Sequence, residues 1–167
     1  MVKTIVLCRG LQGSGKTTWA NQWVEEDPEN RVRFNNDNVL GMFGKIWNRK
    51  KGDLARAMKR QFLVSAMKQG FDIVIDNTNL NTKEVDCIKS YAEIHNKAID
   101  AIREDGTLKQ KDNFIYVVIM KDFFNVPLKV CISRDSKRPN PVGEGVIMAT
   151  YRQYKDIIHP NEQEQKA

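Results

Sequence analysis

Short apolar runs alternate with longer amphipathic stretches along this chain. KTIVLC (3–8) is a continuous run of the kind that forms a strand buried in a parallel sheet. RVRFNN (31–36), FDIVID (71–76) and NFIYVVIM (113–120) read as three further strands. The segments between them have helical character. KTTWANQWVEE (16–26) opens directly after a glycine-rich turn, and DNVLGMFGKIW (37–47) reads as a short helix with Asp37 near its N-cap. In DLARAMKRQFLVSAMKQ (53–69), Leu54, Met58, Phe62 and Ala66 recur at a spacing of four, with Arg56, Lys59 and Arg60 off that line. Gly70 stops this helix. Another helix covers 81–99, capped near Asn81. A polar stretch, REDGTLKQKD (103–112), carries a turn signal at Asp105–Gly106. VPLKVCISRDSKR is helical from Pro127, set at the first helical position. PNPVGEG (139–145) breaks it, and VIMATYRQYKDII (146–158) closes the fold.

The order β-α-β-α-α-β-α-β-α-α predicts an α/β fold. It has a parallel sheet of about four strands, helices on both faces and a C-terminal helical lid. Residues 1–160 are expected to form one domain and 161–167 a disordered tail. Ligands of such sheets bind beyond the carboxyl ends of the strands, so the residues that follow each strand carry the functional information.

Composition narrows the setting. The 167 residues are 41% hydrophobic and 29% charged, as in globular proteins. No apolar stretch reaches the ~18 residues of a membrane span, and no secretory pattern opens the chain. Cys8, Cys87 and Cys131 lie far apart and fit no metal spacing, which points to reduced thiols and a cytoplasmic location. A net charge of +6, from 27 Lys and Arg against 21 Asp and Glu, favours polyanionic partners such as nucleic acid.

Gly10-Leu11-Gln12-Gly13-Ser14-Gly15-Lys16-Thr17 carries the chemistry. It matches the phosphate-loop pattern in full, after a strand and at the start of a helix. Gly10, Gly13, Ser14, Gly15, Lys16, Thr17 and Thr18 are therefore expected to bind ATP. Backbone N–H groups and the helix dipole face the phosphates, Lys16 reaches the β- and γ-phosphates, and the Thr17 hydroxyl ligates Mg²⁺. Asp76, at the end of DIVID, is the second expected magnesium residue. Asn77 follows it where hydrolytic enzymes often place a glutamate, and no guanine-reading NKxD motif occurs. Both facts favour transfer to a second substrate over hydrolysis. Asp37, at the end of the second strand, is placed to orient an acceptor hydroxyl and take its proton. A helix cap is the plain structural role for the same residue. Arg134 and Arg138 stand four apart beside PNPVGEG, a plausible lid. Their guanidinium groups suit charge developing on a transferring phosphoryl group.

GLQGSGKTTWA, FNNDN, IDNTNLN and SRDSKR, in that order over residues 3–157, resemble the kinase domain of phage polynucleotide 5′-kinase. The resemblance implies a P-loop kinase fold and transfer of the ATP γ-phosphate to a nucleic-acid 5′-hydroxyl. It implies Asp37 as general base, Lys16 and Thr17 as the phosphate-loop pair, and Arg134 and Arg138 as lid arginines. Asn36, Asn77, Thr78 and Asn79 are assigned to the acceptor. This chain departs from the family in three places. Leu40 stands where the family has an arginine that grips an acceptor phosphate; Arg33, Lys45 or Arg49 are candidate substitutes. Asn77 stands where the family has an aspartate, with Asp76 one place earlier. The 103–112 loop is longer. A kinase acting on a hydroxymethylated pyrimidine within DNA is the nearest alternative. A nucleoside or small-molecule kinase and a non-catalytic nucleotide-binding module follow. Trp19 and Trp23 are expected to pack in the core, and Trp47 to be the better candidate for stacking on a base. His95 and His159 are expected at the surface. The sequence sets no oligomeric state.

Overall fold

A computed structural model describes residues 1–44, 48–104 and 114–160. Four parallel strands form one sheet: β1 (Val2–Arg9), β2 (Arg31–Phe34), β3 (Asp72–Asp76) and β4 (Ile115–Asp122), in the order β2-β3-β1-β4. The register sets Leu7 beside Ile75 on one flank of β1 and beside Met120 on the other. The helices are α1 (Lys16–Glu25), α2 (Asn36–Gly41), α3 (Arg49–Gln69), α4 (Thr82–Glu104), α5 (Leu128–Asp135), α6 (Glu144–Gln153) and α7 (Lys155–Ile158).

Alternation along the central strands divides the core in two. Ile5, Leu7, Ile73 and Ile75 face α3 and α4, meeting Leu63, Ala66, Met67, Val85, Ile88 and Ala92. Val6, Cys8 and Val74 point the other way, toward Ala20, Trp19 and Trp23 of α1. The chain leaves β1 for β2 but leaves β3 for β4, so the two connections part at the adjacent strands β1 and β3. The crevice beyond their carboxyl ends is the topological switch point where such folds bind ligands. Helices α5–α7 pack on loops at that end. Cys131, Ile147 and Ile158 bury Leu11 and Leu80 in a third cluster.

Several element boundaries differ from expectation. α3 starts at Arg49, because the Asn48 side chain accepts from Lys51 N and caps the end. Leu54 is 49% exposed, whereas Ala55, Leu63, Ala66 and Met67 are buried. An α-helix turns every 3.6 residues, so a strict spacing of four drifts about 40° per step and leaves the core face within a few steps. Gly70 does end α3, with φ of 76°, and any side chain there would meet the Phe114 ring. α4 continues to Glu104, into the stretch read as loop. Pro127 is the N-cap of α5 and not its first helical residue. The closing segment breaks at Tyr154 into α6 and α7. Trp19 and Trp23 stack on each other as expected of core aromatics, with centroids 6.2 Å apart. His95 is half-buried against the Phe114 carbonyl, 3.1 Å away. Lys45 and Trp47, the turn at Asp105–Gly106 and the tail 161–167 lie outside the described residues.

Candidate active site

The loop after β1 takes its shape from glycine. Gly10, Gly13 and Gly15 have φ of 151°, 80° and 97°, conformations that L side chains rarely adopt. A Cβ on Gly13 would run into the Cys131 carbonyl, so α5 packs directly on the bare backbone of this loop. Gly15 is the N-cap residue of α1, so the unpaired amides of the first helical turn open on the loop. Lys16 is 8% exposed. Its Nζ donates to the carbonyls of Gly10 at 3.0 Å and Leu11 at 2.6 Å, and approaches Ser14 Oγ at 3.4 Å. Burial pushes its pKa down to about 8, against the opposing pull of Asp76. The ammonium is thus solvated by loop oxygens that a phosphate can replace. Thr17 and Thr18 are exposed on the first turn.

The opposite wall comes from the ends of β2 and β3. Asn35 caps α2, its side chain accepting from Asn38 N at 3.0 Å. The cap is therefore Asn35, and the expectation of Asp37 at the N-cap is corrected: Asp37 lies exposed in the first helical turn, facing the cleft. Arg33 grips Asp76 Oδ2 from Nε at 2.9 Å and Nη2 at 2.8 Å, so it is committed to this ion pair and not to an acceptor phosphate. Asp76 is 1% exposed. Its Oδ1 has no hydrogen-bond partner. Asn36 N donates to Asn77 Oδ1 at 2.9 Å, which docks α2 on β3. Leu40 turns away and packs on the main core.

Asn79 does not reach the cleft. It is 2% exposed with φ of 44°. Its Nδ2 donates to Cys8 O at 2.8 Å and Ile75 O at 2.9 Å, joining the ends of β1 and β3. Gly10 N donates to Thr78 O at 3.1 Å beside it. The side-chain Nδ2 is consumed in holding the strand ends together, while Oδ1 is buried without a partner.

On the lid side, α5 ends at Asp135 and Arg138 follows in a turn, so the two arginines do not share one helix face. They still converge on the site. Arg134 Nη1 lies 4.0 Å from where a Cβ on Gly15 would be, and Arg138 lines the cleft. Buried Asp135 organises this corner, accepting from Gly143 N at 3.0 Å and facing Arg138 at 3.6 Å.

The cleft, of about 220 Å³, brings together Lys16, Thr17, Asn36, Asp37, Asp76, Asn77, Thr78 and Arg138. It also includes Gln12, Asn35 and Val142, which sequence reasoning missed. Gln12 occupies a variable position of the phosphate-loop pattern, and Asn35 reads as the end of a strand. The asparagine-rich FNNDN was the available signal for the second. Gln12 Oε1, Asp76 Oδ1 and Asn77 Nδ2 are buried without partners at this cleft. Such orphaned groups are rare in native proteins and mark where a polar ligand completes the structure. No group of three or more His, Cys, Asp or Glu that could hold a metal occurs among the described residues. One carboxylate and one hydroxyl suit magnesium, which takes few protein ligands and completes its shell with water and phosphate.

A family model described as an AAA domain matches residues 5–159. No curated protein matches the chain. Among solved structures, a chain of the Pnkp1/Rnl/Hen1 RNA repair complex superposes with a TM-score of 0.69 at 19% identity, over 92% of this chain and 44% of that one. A fungal RNA kinase superposes with a TM-score of 0.56 at 19% identity, over 92% of this chain and 65% of that one. The chain thus spans less than half the length of the first and about two thirds of the second. At these identities the likeness is one of fold, and it agrees with the expected P-loop kinase architecture.

Proposed function

Since the chain belongs to the AAA-domain family, we propose that it is a P-loop phosphotransferase, an ATP-dependent polynucleotide kinase with a nucleic-acid 5′-hydroxyl as acceptor. Residues 1–160 are assigned to the kinase domain. The observation that carries this reading is the cleft that sets Lys16 and Thr17 against Asp37, with Arg138 also lining it. A nucleotide switch has no use for a carboxylate on the acceptor wall. Three reduced, unpaired cysteines support a cytoplasmic setting.

The geometry supports a direct transfer. The triphosphate lies on the loop amides, and Lys16 exchanges the Gly10 and Leu11 carbonyls for β- and γ-phosphate oxygens. Asp37 accepts the proton of the acceptor hydroxyl as its oxygen bonds to the γ-phosphorus. The bond from that phosphorus to the β–γ bridging oxygen breaks, and ADP leaves with the electron pair. Arg134 and Arg138 meet the charge on the transferring group. Magnesium, when bound, neutralises the phosphate oxygens; Thr17 Oγ1 and the unpartnered Asp76 Oδ1 are the atoms that would hold it. Asn36, Asn77 and Thr78 line the acceptor side, and Asn79 acts through them as a positioning residue.

One observation favours a second reading. Leu40 packs in the core, and the cations among the described cleft-lining residues are Lys16 and Arg138. The acceptor wall therefore shows no described cation for a terminal phosphate, which suits a hydroxymethylated pyrimidine within DNA. Two oligonucleotides and labelled ATP separate the readings. One has a free 5′-hydroxyl and ordinary bases; the other has a blocked 5′-end and an internal hydroxymethyl pyrimidine. Label on the first supports 5′-end phosphorylation. Label on the second alone replaces it with base phosphorylation, and label on neither, with nucleosides accepted, removes both.

A further inference from the structure

Away from the cleft, α3 and α4 enclose a second hollow of about 220 Å³. Its rim is cationic, with Arg56, Lys59 and Arg60 from α3 and Lys83 from α4. Ile88 and Tyr91 lie among them. Glu84 is the single carboxylate among the lining residues, and Lys59 faces it at 3.7 Å. Arg56 pairs with Asp53 of its own helix, and the Arg60 guanidinium lies 5.9 Å from the Tyr91 ring centroid. With Asp53 and Glu84 set against Arg56 and Lys59, the charges of Arg60 and Lys83 leave the hollow positive. Gathering like charges, including Arg56 and Arg60 one helical turn apart, opposes folding slightly and does not build a core. A cationic rim beside the partly exposed Tyr91 ring does match single-stranded nucleic acid, whose phosphates face cations while bases stack on aromatic surfaces.

The α4 wall of the hollow starts a few residues after β3, whose end borders the cleft. Thr78 lines the cleft and Lys83 lines the hollow. The five peptide units between them span at most about 18 Å when fully extended. An acceptor strand with its reacting group at Asp37 reaches the hollow within a few nucleotides.

We propose that the α3–α4 hollow docks the single-stranded part of the acceptor that runs away from the reacting hydroxyl, with backbone phosphates on Arg60 and Lys83 and a base against the half-buried Tyr91. This rests on the polynucleotide-kinase reading and extends it to the acceptor's length and strandedness.

Cys87 supplies a reporter that does not depend on activity. It lines the hollow and is exposed, whereas Cys8 and Cys131 are buried. A 5′-hydroxyl oligonucleotide of about twelve residues, within the usual site size for single strands, is expected to slow maleimide labelling of Cys87 at least tenfold. ATP with magnesium alone is expected to leave the rate unchanged. The exposed pair Arg60→Ala and Lys83→Ala is expected to raise KM for this oligonucleotide about tenfold and to reduce the salt slope of its binding by about 2. A dinucleotide acceptor, too short to reach the hollow, should keep its kcat/KM in the same variant. Unchanged labelling in the presence of a phosphorylated oligonucleotide overturns the docking site, as does equal protection by ATP or equal loss with both acceptors. Protection without phosphorylation of any oligonucleotide supports the docking site and sinks the kinase reading instead.

Discussion

On the loop side of the cleft, Gly13 has no room for a side chain against Cys131, and Lys16 is held by the oxygens of its own loop. On the α2 side, Asp37 stands exposed in a helix of six residues capped by a neighbouring asparagine. The donor wall is fixed by backbone geometry and close packing. The acceptor wall is an exposed side chain on a short helix, itself tied to β3 by Asn77. Substitutions on the first wall should therefore damage structure and chemistry together, whereas those on the second should damage chemistry alone.

The largest effect is expected at Lys16. On the proposed mechanism, Lys16→Ala removes the ammonium that would meet the transferring phosphate and should lower turnover by ~10³-fold or more. A folded variant with normal turnover would end its assignment to the donor wall. Gly13→Ala drives a methyl into the Cys131 carbonyl and forces a strained φ. It should cost about 3 kcal/mol and lower the melting temperature by about 10 °C. An unchanged melting temperature would show that α5 moves aside, and the contrast between the walls would fail. Asp37→Asn should lower kcat by a factor on the order of 10² while melting temperature and ATP affinity stay put. A drop in stability with little change in kcat would make Asp37 a structural residue of α2.

The smallest effect is a pH slope. Lys16 titrates at about 8 in the fold against 10.5 as its ordinary value. Between these values the unfolded chain binds a proton that the folded chain does not, so stability gains from rising pH. This group contributes about 1 kcal/mol of gain from pH 8 to pH 9. Denaturant titrations of the wild type and Lys16→Met at both pH values should differ by that increment; parallel curves would place Lys16 in a wetter site.

The same contrast explains what could be read without coordinates. The phosphate loop was legible because backbone geometry dictates residue identity: positive φ demands glycine, and the switch point demands that the loop follow β1. The four strands and their order of appearance were legible from apolar runs. The position of Asp37 was legible, but its freedom from capping was not, because FNNDN offers four residues able to cap a helix and the sequence does not say which one does. The Arg33–Asp76 pair escaped because it joins residues 43 positions apart that meet only across neighbouring strands. Leu40 reads as a missing phosphate grip in sequence, and as part of the core in three dimensions. Asn79 was grouped with the acceptor by its neighbours Asn77 and Thr78, and only its φ and its two carbonyl partners separate it from them.

Under the proposed transfer, Asn79 also bears on which walls of the cleft keep their spacing. By bonding to Cys8 O and Ile75 O it welds the root of the phosphate loop to the root of the acceptor wall. Floor and far wall then behave as one casting, and the gap between donor and acceptor is set when the chain folds. On the lid side, the start of α6 is tied to the end of α5 by the Gly143 amide, which donates to the Asp135 carboxylate.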